Sequence, residues 1–325
     1  MIDSISGIHH VTAIASDPQR NLDFYRGVLG LRLVKRTVNF DDPGSYHLYY
    51  GDALGRPGTL LTFFAWPDAA RGRPGSGEPI SVAFSVPEGS LPEWSKRLAG
   101  LGVEAAGPAF RFDQPVLSLH DPDGMAIELV AHPGVGEVAH WREGPVREDQ
   151  AIRGIHSVAL LARNPERTSS LLETTLGFRA AGESAGRLRY RGAADSSARV
   201  ELLSDPGQPR GSLGAGSIHH VAWRTRDDET QQAWRARVGE AGIHATEVQD
   251  RIYFHSIYFR EPGGVLFEIA TDPPGMTVDE TPAELGSALR LPPWLEPSRA
   301  QLERRLPALD ATGPPALARE VPGTR

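Results

Sequence analysis

The residues best suited to chemistry are two histidine pairs and one misplaced acid. His9 and His10 stand in Ile8-His9-His10-Val11-Thr12, and His219 and His220 stand in the near copy Ile218-His219-His220-Val221-Ala222. The acid, Glu268, sits between Phe267 and Ile269, six residues after Pro262 in the turn Glu261-Pro262-Gly263-Gly264. A carboxylate flanked by core hydrophobes must be paired, protonated or bound to a metal, because burying it bare is costly. His10, His220 and Glu268 make a set of two histidines and one carboxylate. Such a set covers three positions of an octahedral metal and leaves the others for substrate and O2, as in non-heme Fe(II) sites; Mn(II) suits the same ligands. The plain alternative is two structural histidines and an acid paired with an arginine.

Positioning these groups requires strands, and the chain supplies them in a fourfold repeat. Each unit opens with a β-rich run at Ile8, Ile80, Ile155 or Ile218. A helical stretch follows, ending near Gly30, Gly102, Gly177 or Gly242, and then two or three further strands. Strands are expected at 33–40, 46–50 and 59–64 in the first unit. The pattern is a βαβββ module, and the fold class is α+β, with four modules forming two paired open barrels. A sheet covered by a helix on one face needs cover on the other, and pairing of modules leaves an interior cup for a ligand. The boundaries are 5–133 for an N-terminal domain of two modules, 134–153 for a linker and 154–272 for a C-terminal domain of two modules. A Pro-rich tail, 273–325, follows, with a short helix over 298–306 and a docked or partly disordered course. Unit one is expected to meet unit four across the cup.

The repeat also serves as an internal control. Units one and four carry His-His, unit three carries His156-Ser157, and unit two carries Ser81-Val82. The first histidine recurs even where the second position cannot bind metal. His9, His156 and His219 therefore read as packing or supporting residues, and His10 and His220 as ligands, since strand neighbours point to opposite faces. Glu128 matches Glu268 in place, six residues after Pro122, but its unit lacks the second histidine, so it reads as a vestige or a hydrogen-bonded structural acid.

Composition narrows the class. The 325 residues are 40% hydrophobic and 23% charged, as in ordinary globular proteins. With no cysteine, disulfides, thiolate zinc sites and cysteine nucleophiles are excluded, so any metal rests on His, Asp or Glu. A net charge of −7 argues against nucleic acid. No apolar run has the length of a membrane span, and the first residues lack a secretory pattern, so the cytoplasm is the expected compartment.

The four modules, Gly7-Ile8-His9-His10-Val11-Thr12, Ser217-Ile218-His219-His220-Val221 and the run Tyr258-Phe259-Arg260-Glu261-Pro262-Gly263-Gly264-Val265-Leu266-Phe267-Glu268 resemble the vicinal oxygen chelate superfamily of glyoxalases, bleomycin-binding proteins and extradiol dioxygenases. The likeness is greatest to its hydroquinone-cleaving, para-diol branch. The resemblance implies a non-heme Fe(II)-dependent ring-cleaving dioxygenase, with Mn(II) as the second choice, that opens hydroquinone-type aromatic diols with O2. It implies His10, His220 and Glu268 as metal ligands and Arg251, Tyr258 and His219 as catalytic groups. His219 would serve as the pocket base, Arg251 would hold an anionic substrate group, and Tyr258 would hydrogen-bond a metal-bound oxygen. His9, Thr12 and His255 are expected as substrate-binding or supporting residues, and Phe254, Trp223 and Phe267 as walls. Catechol-cleaving relatives take a histidine ligand where this chain has Ser157, which counts against a catechol site. Glyoxalase-like isomerases add an acid from the partner module, and the run 59–64 has none. Those two enzymes and a metal-free sequestering protein remain the alternatives. The expected partners are a small aromatic substrate and O2, with neither nucleic acid nor membrane, and a homo-oligomer remains open.

Overall fold

In a computed structural model the chain is described at residues 4–134, 139–192, 198–311 and 313. Part of the expected linker (135–138) and the end of the expected tail (312 and 314–325) lie outside the described residues. Unit one comprises β1 (Ile8–Ala15), α1 (Pro18–Leu22) running on into a π-helical turn (Asp23–Val28), β2 (Arg32–Asn39), β3 (Asp42–Gly51) and β4 (Leu60–Ala65). Unit two comprises β5 (Glu78–Pro87), α2 (Leu91–Gly100), β6 (Ala105–Arg111), β7 (Gln114–His120) and β8 (Ala126–His132). In unit three are β9 (Ile155–Ala162), α3 (Pro165–Ser170) with a second π-helical turn (Leu171–Thr175), β10 (Arg179–Ser184), β11 (Arg187–Arg191) and β12 (Arg199–Ser204). Unit four holds β13 (Ile218–Thr225), α4 (Asp228–Glu240), β14 (Gln249–Asp250), β15 (Phe254–Arg260) and β16 (Leu266–Pro274).

The helices begin and end where local chemistry dictates. Asp17 and Asp227 accept hydrogen bonds from the backbone N–H groups of Arg20 (2.8 Å) and Thr230 (2.9 Å), satisfying first-turn donors. Gly102, at positive φ, closes α2 while the N–H of Val103 reaches back to the carbonyl of Leu98 at 2.9 Å.

The units join through their first strands. β1 pairs antiparallel with β13, and β5 with β9. Two eight-stranded sheets result, ordered β14-β15-β16-β13-β1-β4-β3-β2 and β10-β11-β12-β9-β5-β8-β7-β6. Units one and four thus share one curled sheet, and units two and three share the other. The main core fills the helix-covered faces and includes Trp94, Trp223, Trp234 and Phe84. Separate apolar clusters, Val34, Tyr49, Leu60, Ala222 and Phe254 in one sheet and Ala83, Val116 and Val130 in the other, line the inner faces.

The chain after β16 docks on the first sheet. Lys35 of β2 is fully buried with its Nζ 2.5 Å from both Asp279 Oδ1 and Glu280 Oε2, and Tyr46 of β3 donates to the carbonyl of Pro307 at 3.0 Å. The short helix α5 spans Arg299–Arg305, one residue inside the expected span at either end. Among the described residues no helix is long and apolar enough to cross a membrane.

Candidate metal centre

His10 on β1, His220 on β13 and Glu268 on β16 converge on the inner face of the first sheet, each with a ligand atom within 4.8 Å of the others. All three are buried, at 1%, 4% and 0% exposure. The sheet register explains the meeting: Thr12 lies opposite His220 across β1 and β13, and Ala222 lies beside Glu268 across β13 and β16. Nε2 of His220 is 2.9 Å and Nε2 of His10 is 3.4 Å from Glu268 Oε2, and the two Nε2 atoms are 3.4 Å apart. Donors at about 2.1 Å from a common ion and 90° apart would be separated by about 3.0 Å, so the spacing fits one divalent ion. Glu268 Oε2 nevertheless makes no well-formed hydrogen bond. An orphaned buried carboxylate oxygen beside two imidazole nitrogens is the donor set a cation satisfies.

The neighbouring histidines fix which nitrogen is free. His9 Nε2 lies 3.1 Å from the carbonyl of Thr271, which only accepts, so this nitrogen carries the proton. Burial first, then the adjacent His10, holds the His9 ring well below the usual histidine range, so it is neutral and its Nδ1 is an acceptor. His10 Nδ1, 2.9 Å away, must then donate, so Nε2 is the nitrogen that can offer a lone pair to a metal. His219 and His220 repeat the Nδ1 to Nδ1 contact at 2.8 Å. Ser256 on β15 donates to Glu268 Oε1 and fixes the carboxylate. Burial pushes that carboxyl up, and what holds it well below the usual range is positive charge at the facing ring nitrogens, a protonated imidazole or a cation in its place. His220 is lowered by burial, against the opposing pull of Glu268.

A cavity of about 570 Å³ opens above these residues, within the range of small-molecule sites. Its walls include Phe64, Trp66, Tyr49 and Phe254, with His219, Arg251 and Tyr258 among the polar groups. Arg251 Nε donates to the Tyr258 hydroxyl at 3.2 Å, and Arg251 also meets Asp41 at 3.1 Å. Burial first, then Glu268, raises the Tyr258 phenol well above its usual range, so it stays a donor. His219 is brought down to about 3 by burial, His220 and Arg260, so it is neutral.

Other expected residues are placed differently. His255 points away from the cavity and pairs with Asp228 on α4 at 2.6 Å, so it is not brought to the site. Trp223 and Phe267 pack together on the helix side of the sheet with Phe178, and of the three expected walls Phe254 alone lines the cavity. Thr12, two residues along β1 from His10, meets the Thr62 hydroxyl at 2.8 Å. Glu128 is ion-paired with Arg111 at 2.6 Å, the structural role expected of it. The sequence reading missed Ser256 and also His47, whose ring joins Thr62 Oγ1 (2.9 Å) to the Tyr49 hydroxyl (3.0 Å) in the cavity wall. A histidine on a strand otherwise rich in Tyr and Leu was the available signal for the latter.

Comparison with known proteins bears on this arrangement. The model of the glyoxalase/bleomycin resistance protein/dioxygenase superfamily matches residues 7–129 and 154–269. A Bacillus subtilis (strain 168) protein named "Putative ring-cleaving dioxygenase MhqO" is 45% identical over 306 residues, which are 94% of this chain and 97% of that protein. The chlorohydroquinone/hydroquinone 1,2-dioxygenase of Sphingobium indicum is 35% identical, over 94% of this chain and 97% of its own. The crystal structure of a putative dioxygenase from Bacillus subtilis superposes with a TM-score of 0.91 at 45% identity, covering 95% of this chain and 99% of that one. Glyoxalase I of Zea mays shares the fold at a TM-score of 0.59 and 17% identity, covering 82% of this chain and 92% of its own.

Proposed function

Since the chain belongs to the glyoxalase/bleomycin resistance protein/dioxygenase superfamily, we propose that its first-sheet cavity opens hydroquinone-type rings with O2 on a ferrous ion held by His10, His220 and Glu268. The protein is a ring-cleaving dioxygenase, an oxidoreductase that incorporates both atoms of O2. The observation that carries the finer reading is the convergence of two imidazole nitrogens with an orphaned carboxylate oxygen at the base of an aromatic-walled cavity. The relative from Sphingobium, named for hydroquinone cleavage, supports the substrate class. The expected compartment is the cytoplasm.

When bound, the ferrous ion supplies the one-electron chemistry that lets O2 react with a closed-shell ring. The chain's own groups bind and orient. A hydroquinone offers the metal one hydroxyl, so its plane must be held by other contacts, and displacement by about 1 Å costs on the order of a hundredfold in rate. Tyr258, whose oxygen already accepts from Arg251, has its proton free to donate to a substrate oxygen. Arg251 adds positive charge that favours a substrate anion. His219 takes a donor role where the sequence suggested a base. With His220 Nε2 kept for the metal, His220 Nδ1 donates to His219 Nδ1, and the proton of the neutral His219 ring then resides on Nε2. The aromatic walls exclude water from the reacting ring.

The isomerase alternative is disfavoured by Thr62. It pairs with Thr12 as Glu268 does with Ala222, so it occupies the unit-one place for a fourth ligand, and its hydroxyl is engaged by Thr12 and His47. An oxygen electrode decides the matter: the Fe(II)-loaded protein should consume O2 with substituted hydroquinones and turn over catechol poorly. Fast catechol cleavage without hydroquinone activity would reject the para-diol assignment, and no uptake with either diol would return the isomerase reading.

A further inference from the structure

The second sheet repeats the frame of the first with different side chains on its inner face. The offset that sets Glu268 beside Ala222 also sets Glu201 beside Ala159 and Glu128 beside Ala83, so two acids face this second cup. Serines 81 and 157 stand where the first cup has His10 and His220, and guanidinium groups engage the acids. Arg111 lies 2.6 Å from Glu128, Arg189 2.7 Å from Glu201, and Arg187 bridges the two acids at 3.7 and 3.1 Å. These pairs use both carboxylates, yet two more arginines remain.

Arg191 and Arg199 face each other across β11 and β12, and neither has an acidic partner among the described residues. Arg199 makes one long contact, 3.5 Å from its Nη1 to the carbonyl of His156, and its Nε is buried with no partner. Arg189 Nε is also buried and unpartnered, as is Nε2 of the fully buried His156, whose Nδ1 is 3.0 Å from Ser157 Oγ. Burial, then Arg191 and Arg189, pulls the Arg199 guanidinium down to about 10, so it remains charged at neutral pH. Arg199 is only part-buried, but its inner donor is shielded from solvent, and shielded donors without a partner are costly and in native structures are normally met by an ion or water. Three orphan nitrogens thus sit on residues that act on one another, the His156 ring being held down by burial and then by Arg199 and Arg189, and exposed Arg191 adds further positive charge.

We propose that the second cup binds one small oxyanion, a carboxylate or phosphate group, through Arg189, Arg191, Arg199 and His156. The planar forks of Arg191 and Arg199 suit such an anion, and Arg189, whose two Nη atoms are held by Gln114 and Glu201, adds its unpartnered Nε. When the Ser157 hydroxyl donates to His156 Nδ1, His156 Nε2 carries a proton and joins them. This site is separate from the metal-type residues and uses the half of the molecule from which they are absent.

The test is calorimetric titration of the full chain with inorganic phosphate and, separately, with succinate, at ionic strength held constant with chloride. One saturable site per chain is expected for at least one of the two anions, and which one binds sets the class. Arg199→Gln should weaken that site at least tenfold, while Arg251→Gln, in the first cup, should leave it unchanged. Arg191→Gln, at an exposed position, gives the same reading should Arg199→Gln fail to fold, with a smaller loss of about threefold or more. Absence of saturable binding by both anions overturns the proposal, as does equal affinity in the arginine variants of the second cup. Loss of the site in Arg251→Gln would place the anion in the first cup and overturn it as well.

Discussion

Each proposed histidine ligand has one ring nitrogen near Glu268 and the other bonded to the histidine before it, so the ligand's tautomer is set by a residue that touches no metal. The chain of logic from the Thr271 carbonyl through His9 to His10 predicts that His9→Ala lowers metal affinity by about ten- to a hundredfold, measured by competition with a chelator. Replacing His10, His220 or Glu268 by Ala should abolish retention altogether. His156→Ala should leave metal content unchanged, and equal loss from it and His10→Ala would overturn the use of the repeat as a control. Tyr258→Phe should keep the metal but lower kcat on the order of a hundredfold, since one donor to the reacting oxygen is gone. These residues were legible because the chain repeats itself four times and withholds the second histidine in two of the units. Alternation from the same residues also excludes three expectations: His255 is an odd number of positions from Tyr258, Trp223 from His220 and Phe267 from Glu268, so each faces the other side of its strand. Ser256 and Glu201 were illegible, because their importance depends on which strand lies alongside, and no local pattern states that; His47 left a local signal in an odd residue type on its strand, but not its partners.

Among the elements, the turns before the last strands of units two and four carry one device in two versions. Asp121 accepts from the N–H groups of Asp123 (2.9 Å) and Met125 (2.8 Å) and from the Tyr25 hydroxyl in unit one (3.0 Å). Glu261 accepts from the N–H groups of Gly263 (2.8 Å) and Val265 (2.9 Å) and from the Thr168 hydroxyl in unit three (2.8 Å). The sequence shows the turn, through its Pro and Gly, but not the hydroxyl that reaches across from the preceding unit. Burial pushes the Asp121 carboxyl up to about 6, against the pull of these donors. A carboxyl raised in the folded state contributes stability below its unfolded value near 4, and that stability is lost as pH rises through about 6. Asp121→Asn keeps both backbone bonds on its oxygen and can donate its amide to Tyr25, yet carries no charge. The variant should therefore exceed the wild type by up to about 3 kcal/mol at pH 8, with the advantage gone below pH 4. Urea melts at the two pH values measure it; a variant less stable at pH 8 than at pH 4, relative to wild type, contradicts the assignment.

In the whole molecule the four units form a closed ring of dependencies. Strand pairing joins unit one to unit four and unit two to unit three, while the turn acids join unit one to unit two and unit three to unit four. A cut within 134–153 would separate the two sequence halves, and each half would then hold one half of each sheet. The strands β1 and β5 of the first half, and β9 and β13 of the second, would become open edges. These strands are buried along nearly their whole length, so each edge would expose both apolar faces and unpaired backbone groups. The first half would also keep His10 without His220 and Glu268, and the second the reverse. The prediction is that residues 1–133 and 154–325, expressed apart, are each poorly folded and bind no ferrous ion, and that co-expression restores both sheets, one tightly held metal and O2 uptake. Circular dichroism and metal analysis of each fragment and of the reassembled pair provide the check. A well-folded isolated half with a cooperative thermal transition would mean that the sequence repeat, rather than the sheet built across it, is the folding unit.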